Sequence, residues 1–92
     1  MDLKAFEQEV RRVRMQCSDA IDDSGDRTCQ KMMSQLQQLE DGAQTGKNVT
    51  TLHHLLKDMR RTAENLVDGE GMSHGDANKI LNWVENAIQK TR

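Results

Sequence analysis

No proline occurs anywhere in the 92 residues, and the apolar side chains recur three and four positions apart. These two facts narrow the chain to helices. A backbone without proline can donate an amide at every helical position, and a three-four rhythm puts the apolar groups on one side of the rod. Leu3, Phe6, Val10, Val13, Cys17 and Ala20 form one such stripe, and Cys29, Met32, Leu36 and Leu39 a second. Val49, Leu52, Leu56, Met59, Ala63 and Leu66, flanked by Leu55 and Val67, form the third. Ala77, Ile80, Val84 and Ala87, broadened by Leu81 and Ile88, form the fourth. The alternation of β-branched and aromatic residues that strands require is missing.

Glycine and capping residues supply the punctuation. Asp2 suits an N-cap, with Met1 and Phe6 spaced for a hydrophobic staple. The run from Asp22 to Asp26 ends the first helix, with Gly25 suited to a left-handed position beyond its C-terminus, and the second restarts near Asp26. Gly42 fits a C-cap for the second helix and Asn48 an N-cap for the third. Asp68-Gly69 stops the third. Ser73, with Asp76 three residues on and Met72 able to staple to Ala77, starts the fourth. The pattern predicts a single all-α domain over residues 1–92, an up-down bundle of four amphipathic helices at 2–24, 26–41, 48–68 and 73–91.

Such a bundle has a thin core. Phe6 and Trp83 are its only aromatics, and there is no tyrosine. Small cores of this kind gain stability by association, so a homo-oligomer, with a dimer completing the core across its interface, is expected. Cys17 and Cys29 fall on apolar stripes and read as small core residues. A turn near Gly25 would offset them by about four residues, ~6 Å along the axis, which disfavours a disulfide.

Several functions are made improbable. The stretch Asp41–Thr51, "DGAQTGKNVTT", imitates a phosphate-binding loop, but only three residues separate Gly42 from Gly46, Asn48 follows Lys47, and no strand precedes it. It reads as a connector. His54 and Asp58 lie one turn apart, as two metal ligands would, whereas His53 points about 100° away. A site would need His74 or a cysteine from elsewhere, so no metal is expected. Neither a Gly-x-Ser-x-Gly elbow nor a Cys-x-x-Cys pair occurs, and most carboxylates fall opposite the apolar stripes. No catalytic residue, no cofactor and no enzymatic activity are expected. Asn48-Val49-Thr50 matches a glycosylation acceptor, but Met1–Val10 lacks the layout of a secretory leader. A cytoplasmic location is therefore expected, and no run approaches the roughly 18 apolar residues of a membrane span.

What remains is association. Met15 falls on the side of its helix opposite the stripe, and Ile21, Met33 and Trp83 fall at stripe edges. Flexible methionines and an edge tryptophan favour contact surfaces. The expected role is a non-catalytic protein-interaction module (a small adaptor, inhibitor or regulatory subunit) that binds another protein through helical faces. The alternative is a nucleic-acid-binding regulator using Arg11, Arg12 and Arg14 of the first helix and Lys57, Arg60 and Arg61 of the third. Against it stand the net charge of −2, the lack of aromatics for base stacking, and the neutralising spacings Glu7/Arg11, Glu9/Arg12 and Arg60/Glu64.

Overall fold

The computed structural model, which describes all 92 residues, contains four α-helices and no strand: α1 (Leu3–Ala20), α2 (Arg27–Gln44), α3 (Val49–Asp68) and α4 (His74–Lys90). The four-helix bundle read from the stripes is the fold observed. Phe6, Val10, Val13 and Cys17 of α1 are buried against Cys29, Met32, Leu36 and Leu39 of α2. Leu52, Leu56, Met59, Ala63 and Leu66 of α3 and Ala77, Ile80, Val84 and Ala87 of α4 join the same cluster. Each fully buried aliphatic side chain contributes roughly 1.5–3 kcal/mol. The radius of gyration is 12.3 Å, against about 12 Å for a compact chain of this length, and twenty buried apolar residues form one cluster within a single copy. No helix is long and apolar enough to cross a membrane.

Asp2, Asp26, Asn48 and Ser73 cap the four helices, each side chain accepting a first-turn amide. Ser73 also donates its hydroxyl to Asp76 at 2.9 Å. The C-termini depart from the sequence reading. Helix α1 ends at Ala20 rather than at 24, because Ile21 turns extended and pairs with Met72 as an isolated antiparallel bridge. Gly25 does not adopt a left-handed conformation. Helix α2 runs to Gln44 rather than 41, and Gly42 lies within it instead of capping it. A Cβ at Gly42 would meet Leu52 Cδ2 at 3.0 Å, so its small size serves the close approach of α2 to α3. Gly46 takes the capping role, at φ 76°. Lys47 N donates to Gly42 O at 2.9 Å and Gly46 N to Ala43 O at 3.3 Å, the paired bonds of a Schellman terminus. The "DGAQTGKNVTT" stretch is therefore a helix end, a turn and the next N-cap.

At the opposite end of the bundle the two links are stitched together. Asp22 N and Asp23 N both donate to Gly71 O, at 2.8 and 3.3 Å. Gly71 presses on the start of α2: a Cβ there would come within 2.5 Å of Cys29 Sγ and 2.7 Å of Asp26 Cγ. Overpacking of this kind costs about 1–3 kcal/mol. We expect Gly71→Ala to lower stability by that amount in urea unfolding. Gly75→Ala, placed where nothing lies within 4 Å, should instead raise it by about 0.5 kcal/mol. Equal effects of the two substitutions would remove the packing explanation.

Candidate functional site

Helices α1 and α2, α2 and α3, and α3 and α4 pack along their lengths, whereas α1 and α4 touch sparsely. Their seam opens into a groove of about 410 Å³. Val13 and Ala20 of α1 and Ile80 and Trp83 of α4 supply its apolar lining. Arg12, Gln16 and Asp19 stand on one rim, with Asp76 and Lys79 on the other. The groove is closed off at the end nearer the chain termini. There Trp83 Nε1–H donates to Glu9 Oε1 at 2.7 Å, Lys90 Nζ lies 3.5 Å from the same oxygen, and the Trp83 ring stacks on Phe6 with centroids 6.2 Å apart. The Trp83–Glu9 bond and the Ile21–Met72 bridge set an antiparallel register. In that register Asp19 and Asp76 fall at the same end of the groove, and Arg12 lies toward Trp83.

The four residues singled out for partner contact do not form one patch. Trp83 lines the α1/α4 groove. Ile21 and Met33 share a separate cleft of about 370 Å³ between the end of α1 and the start of α2, beside Ser18, Ser24 and Gln30. Met15 stands alone on the back of α1, 58% exposed. Val13 and Ile80 were read only as stripe residues and Arg12 only as part of a basic cluster, and the other rim residues were not singled out, since a stripe reports burial and not which neighbouring helix is missing.

The six basic residues are also divided. Arg11 and Arg14 are drawn to Glu40 of α2: Arg14 Nε donates to Oε1 at 2.7 Å and Arg11 Nε to Oε2 at 3.1 Å. Glu7 assists Arg11 at 3.7 Å. The Glu9/Arg12 and Arg60/Glu64 pairs expected from spacing do not form ion pairs. Glu9 is taken by Trp83 and Lys90, which leaves Arg12 on the groove rim. Lys57 and Arg61 line a cleft between α2 and α3, and Arg60 is exposed. Glu40 was missed because its type reads as surface. Its signal was positional: it follows Leu36 by four and precedes Ala43 by three, on the buried face.

The histidines serve structure where they make contacts. The Thr91 hydroxyl lies 2.9 and 3.1 Å from the carbonyl oxygens of Ala87 and Ile88 and 2.9 Å from His53 Nδ1, with which it shares a hydrogen bond. The bond pins α3 to the end of α4. His54 is exposed, with its ring centroid 6.3 Å from that of His53. His74, in the first turn of α4, lies at the other end of the bundle from both. No three His, Cys, Asp or Glu residues gather as a metal would need. Cys17 and Cys29 are free and buried. Burial pushes both thiols up to about 11, with the neighbouring Cys29 adding to the shift of Cys17 and the Asp26 side chain to that of Cys29. At neutral pH they are thiols, not nucleophilic thiolates.

The Arg14 hydrogen bond holds the Glu40 carboxyl below the usual glutamate range; burial opposes it and Arg11 assists. A folded-state value lowered in this way stabilises the fold above the unfolded value, and the contribution disappears as pH falls through the folded value. At pH 7 Glu40→Gln should cost about 1.5–3 kcal/mol, the range for hydrogen bonds to charged groups. The gap from wild type should close as the solution is acidified below about pH 4. Chemical denaturation across that range checks this, and a gap independent of pH would contradict it.

No family model, curated protein or solved structure matches the chain.

Proposed function

We propose that the chain is a non-catalytic interaction module that receives an amphipathic helix from another protein in the α1/α4 groove, as an adaptor, inhibitor or regulatory subunit. The observation that carries this reading is the incomplete seam. Three helix pairs pack along their lengths while the fourth leaves Val13, Ala20, Ile80 and Trp83 around an unfilled channel. Helix-in-groove recognition needs this kind of apolar trough, and an edge tryptophan is a common energetic anchor. Opposite charges at the two ends give an incoming helix a direction: basic side chains belong at the Asp19/Asp76 end and an acidic one near Arg12.

The main rival, a nucleic-acid regulator, is weakened by the engagement of Arg11 and Arg14 with Glu40. A second copy of this chain is the competing occupant, in keeping with the homo-oligomer expected from the thin core. We keep a cytoplasmic setting as part of the proposal.

A photoreactive residue introduced at Gln16, on the groove rim, should cross-link in host cells to one other protein, within a helical segment. The same residue at Gln37, on the exposed side of α2, should not. Gln16→Arg, which crowds the groove without entering the core, should reduce capture of that segment about tenfold, near 1.4 kcal/mol, with an unchanged thermal midpoint. Trp83 is the only tryptophan, so its emission should shift when the segment binds. Identical products from positions 16 and 37 would sink the reading. Cross-links to the chain itself, with light scattering reporting a dimer, would replace the foreign partner by a second copy.

A further inference from the structure

The rims of the α1/α4 groove carry four charges that the fold itself does not use. Arg12 and Asp19 of α1 and Asp76 and Lys79 of α4 line the opening, and none of them is in an ion pair. Asp76 accepts the Ser73 hydroxyl, which is neutral. Elsewhere on α1 the charges are matched: Arg11 and Arg14 hold Glu40, and Glu9 lies beside Lys90. The unmatched four are also ordered along the seam. The two carboxylates share one end, and Arg12 lies seven residues from Asp19, about 10 Å along the helix axis, toward Trp83.

The groove is also short. The Trp83–Glu9 bond closes one end and the Ile21–Met72 bridge the other, so a helix lying in it meets the apolar floor for about two turns. A second copy of this chain has no helix face to offer. Its exposed large apolar side chains are Met1 and Met15 alone, and the residues one turn from Met15 on α1 (Arg11, Arg12, Ser18 and Asp19) are polar. The partly buried apolar side chains pack against the chain's own core. The occupant must therefore bring an apolar stripe of its own, from another protein.

We propose that this groove, taken as the helix-docking site proposed above, selects its partner by a charge bracket. The partner segment is two turns of amphipathic helix with a basic residue at position i, apolar residues at i+3 and i+4, and an acidic residue at i+7, or the reverse order. The basic residue meets Asp19 and Asp76, and the acidic one meets Arg12. Seven positions on the partner rise as far as the seven from Arg12 to Asp19 on α1, so both contacts form at once. Positions i and i+7 also share a face with i+3 and i+4, which places the charges at the ends of the floor that the apolar residues fill. Charges arranged in this way fix register and reject wrong partners more than they add affinity. A segment basic at both ends is repelled by Arg12, and one acidic at both ends by the two aspartates.

A displayed library of short helix-forming segments tests this, with Leu, Ile or Met at i+3 and i+4, with Lys, Glu or Gln at i and i+7, and without tryptophan. Trp83 is the only tryptophan of the chain and lines the groove, so a shift of its emission marks segments that enter there. Among these, opposite charges at i and i+7 should bind roughly three- to tenfold tighter than like charges, as a few partly exposed pairs allow, and the advantage should shrink at high salt. Arg12→Glu replaces an exposed side chain and makes both ends of the groove acidic. The preferred pair should then become Lys at both positions, with helicity and thermal midpoint retained. Groove-binding segments without a charge preference, or with the same preference in Arg12→Glu, would overturn the bracket and leave the docking reading standing. Recovery of no segment that shifts Trp83 emission would overturn both. A dimer in light scattering that Gln16→Arg dissociates would seat a second copy in the groove and overturn the bracket.

Discussion

No helix of this chain has reason to persist alone. Isolated helices of 17 to 20 residues are marginal in water, because nucleation is costly and each added bond returns little. What makes them permanent is a shared core of Val, Leu, Ile, Met, Ala and Cys side chains, with Phe6 at its edge. Every other feature follows from having only one narrow stripe per helix with which to build it. Such stripes join neighbours along the chain readily, since short links hold α1 to α2, α2 to α3 and α3 to α4. The last seam, α4 back to α1, has no link to enforce it. It is held at one end by Trp83, Phe6 and Glu9 and at the other by the Ile21–Met72 bridge. Between them the apolar side chains facing the gap are few, and an open channel results.

The stripes were legible because burial is periodic. Every stripe residue named from spacing in α2 is fully buried, and in α1, α3 and α4 only positions near the ends or edges remain partly open. Helix starts were legible too, since Asp2, Asp26, Asn48 and Ser73 act locally through their own side chains. Helix ends were not. Gly42 and Gly46 both look like terminators in the sequence. The contact between Gly42 and Leu52, ten residues away, keeps the first inside α2 and leaves the cap to the second. Gly25 lost its assigned role because the chain had already left α1 to pair with Met72. Each of these outcomes depends on a residue distant in sequence.

The sites were harder to read for the same reason. A heptad position fixes the direction of Met15, Ile21, Met33 and Trp83 around their own helices, but not what lies in that direction. Packing sends Ile21 and Met33 to one cleft, Trp83 to another and Met15 to solvent. Spacing also favoured neutralisation within a helix, Glu9 to Arg12 and Arg60 to Glu64. Contacts between helices prevailed in α1, since a partly buried carboxylate or indole N–H gains more from a charged partner than an exposed pair does. Glu40 is the clearest instance. It is 5% exposed, and a buried carboxylate without a cation is costly.

That redistribution of charge gives a mildly acidic chain faces of different sign. Net charge averages over faces that a ligand meets one at a time. On the α1/α2 face, Glu40 sits between two arginines and removes them as a basic cluster, at the cost of tying α1 to α2 by polar contacts that a hydrophobic seam would not need. On the α2/α3 face no comparable carboxylate lies between Lys31, Lys57 and Arg61, and Asp58 offsets only one of the three. The α1/α4 seam carries both signs, with its acids gathered at one end. At the acidic end of the groove the basic end of an incoming helix is favoured. The rim side chains Arg12, Gln16, Asp19 and Lys79 are exposed, so they set the charge of the groove without contributing to the core that holds it in place.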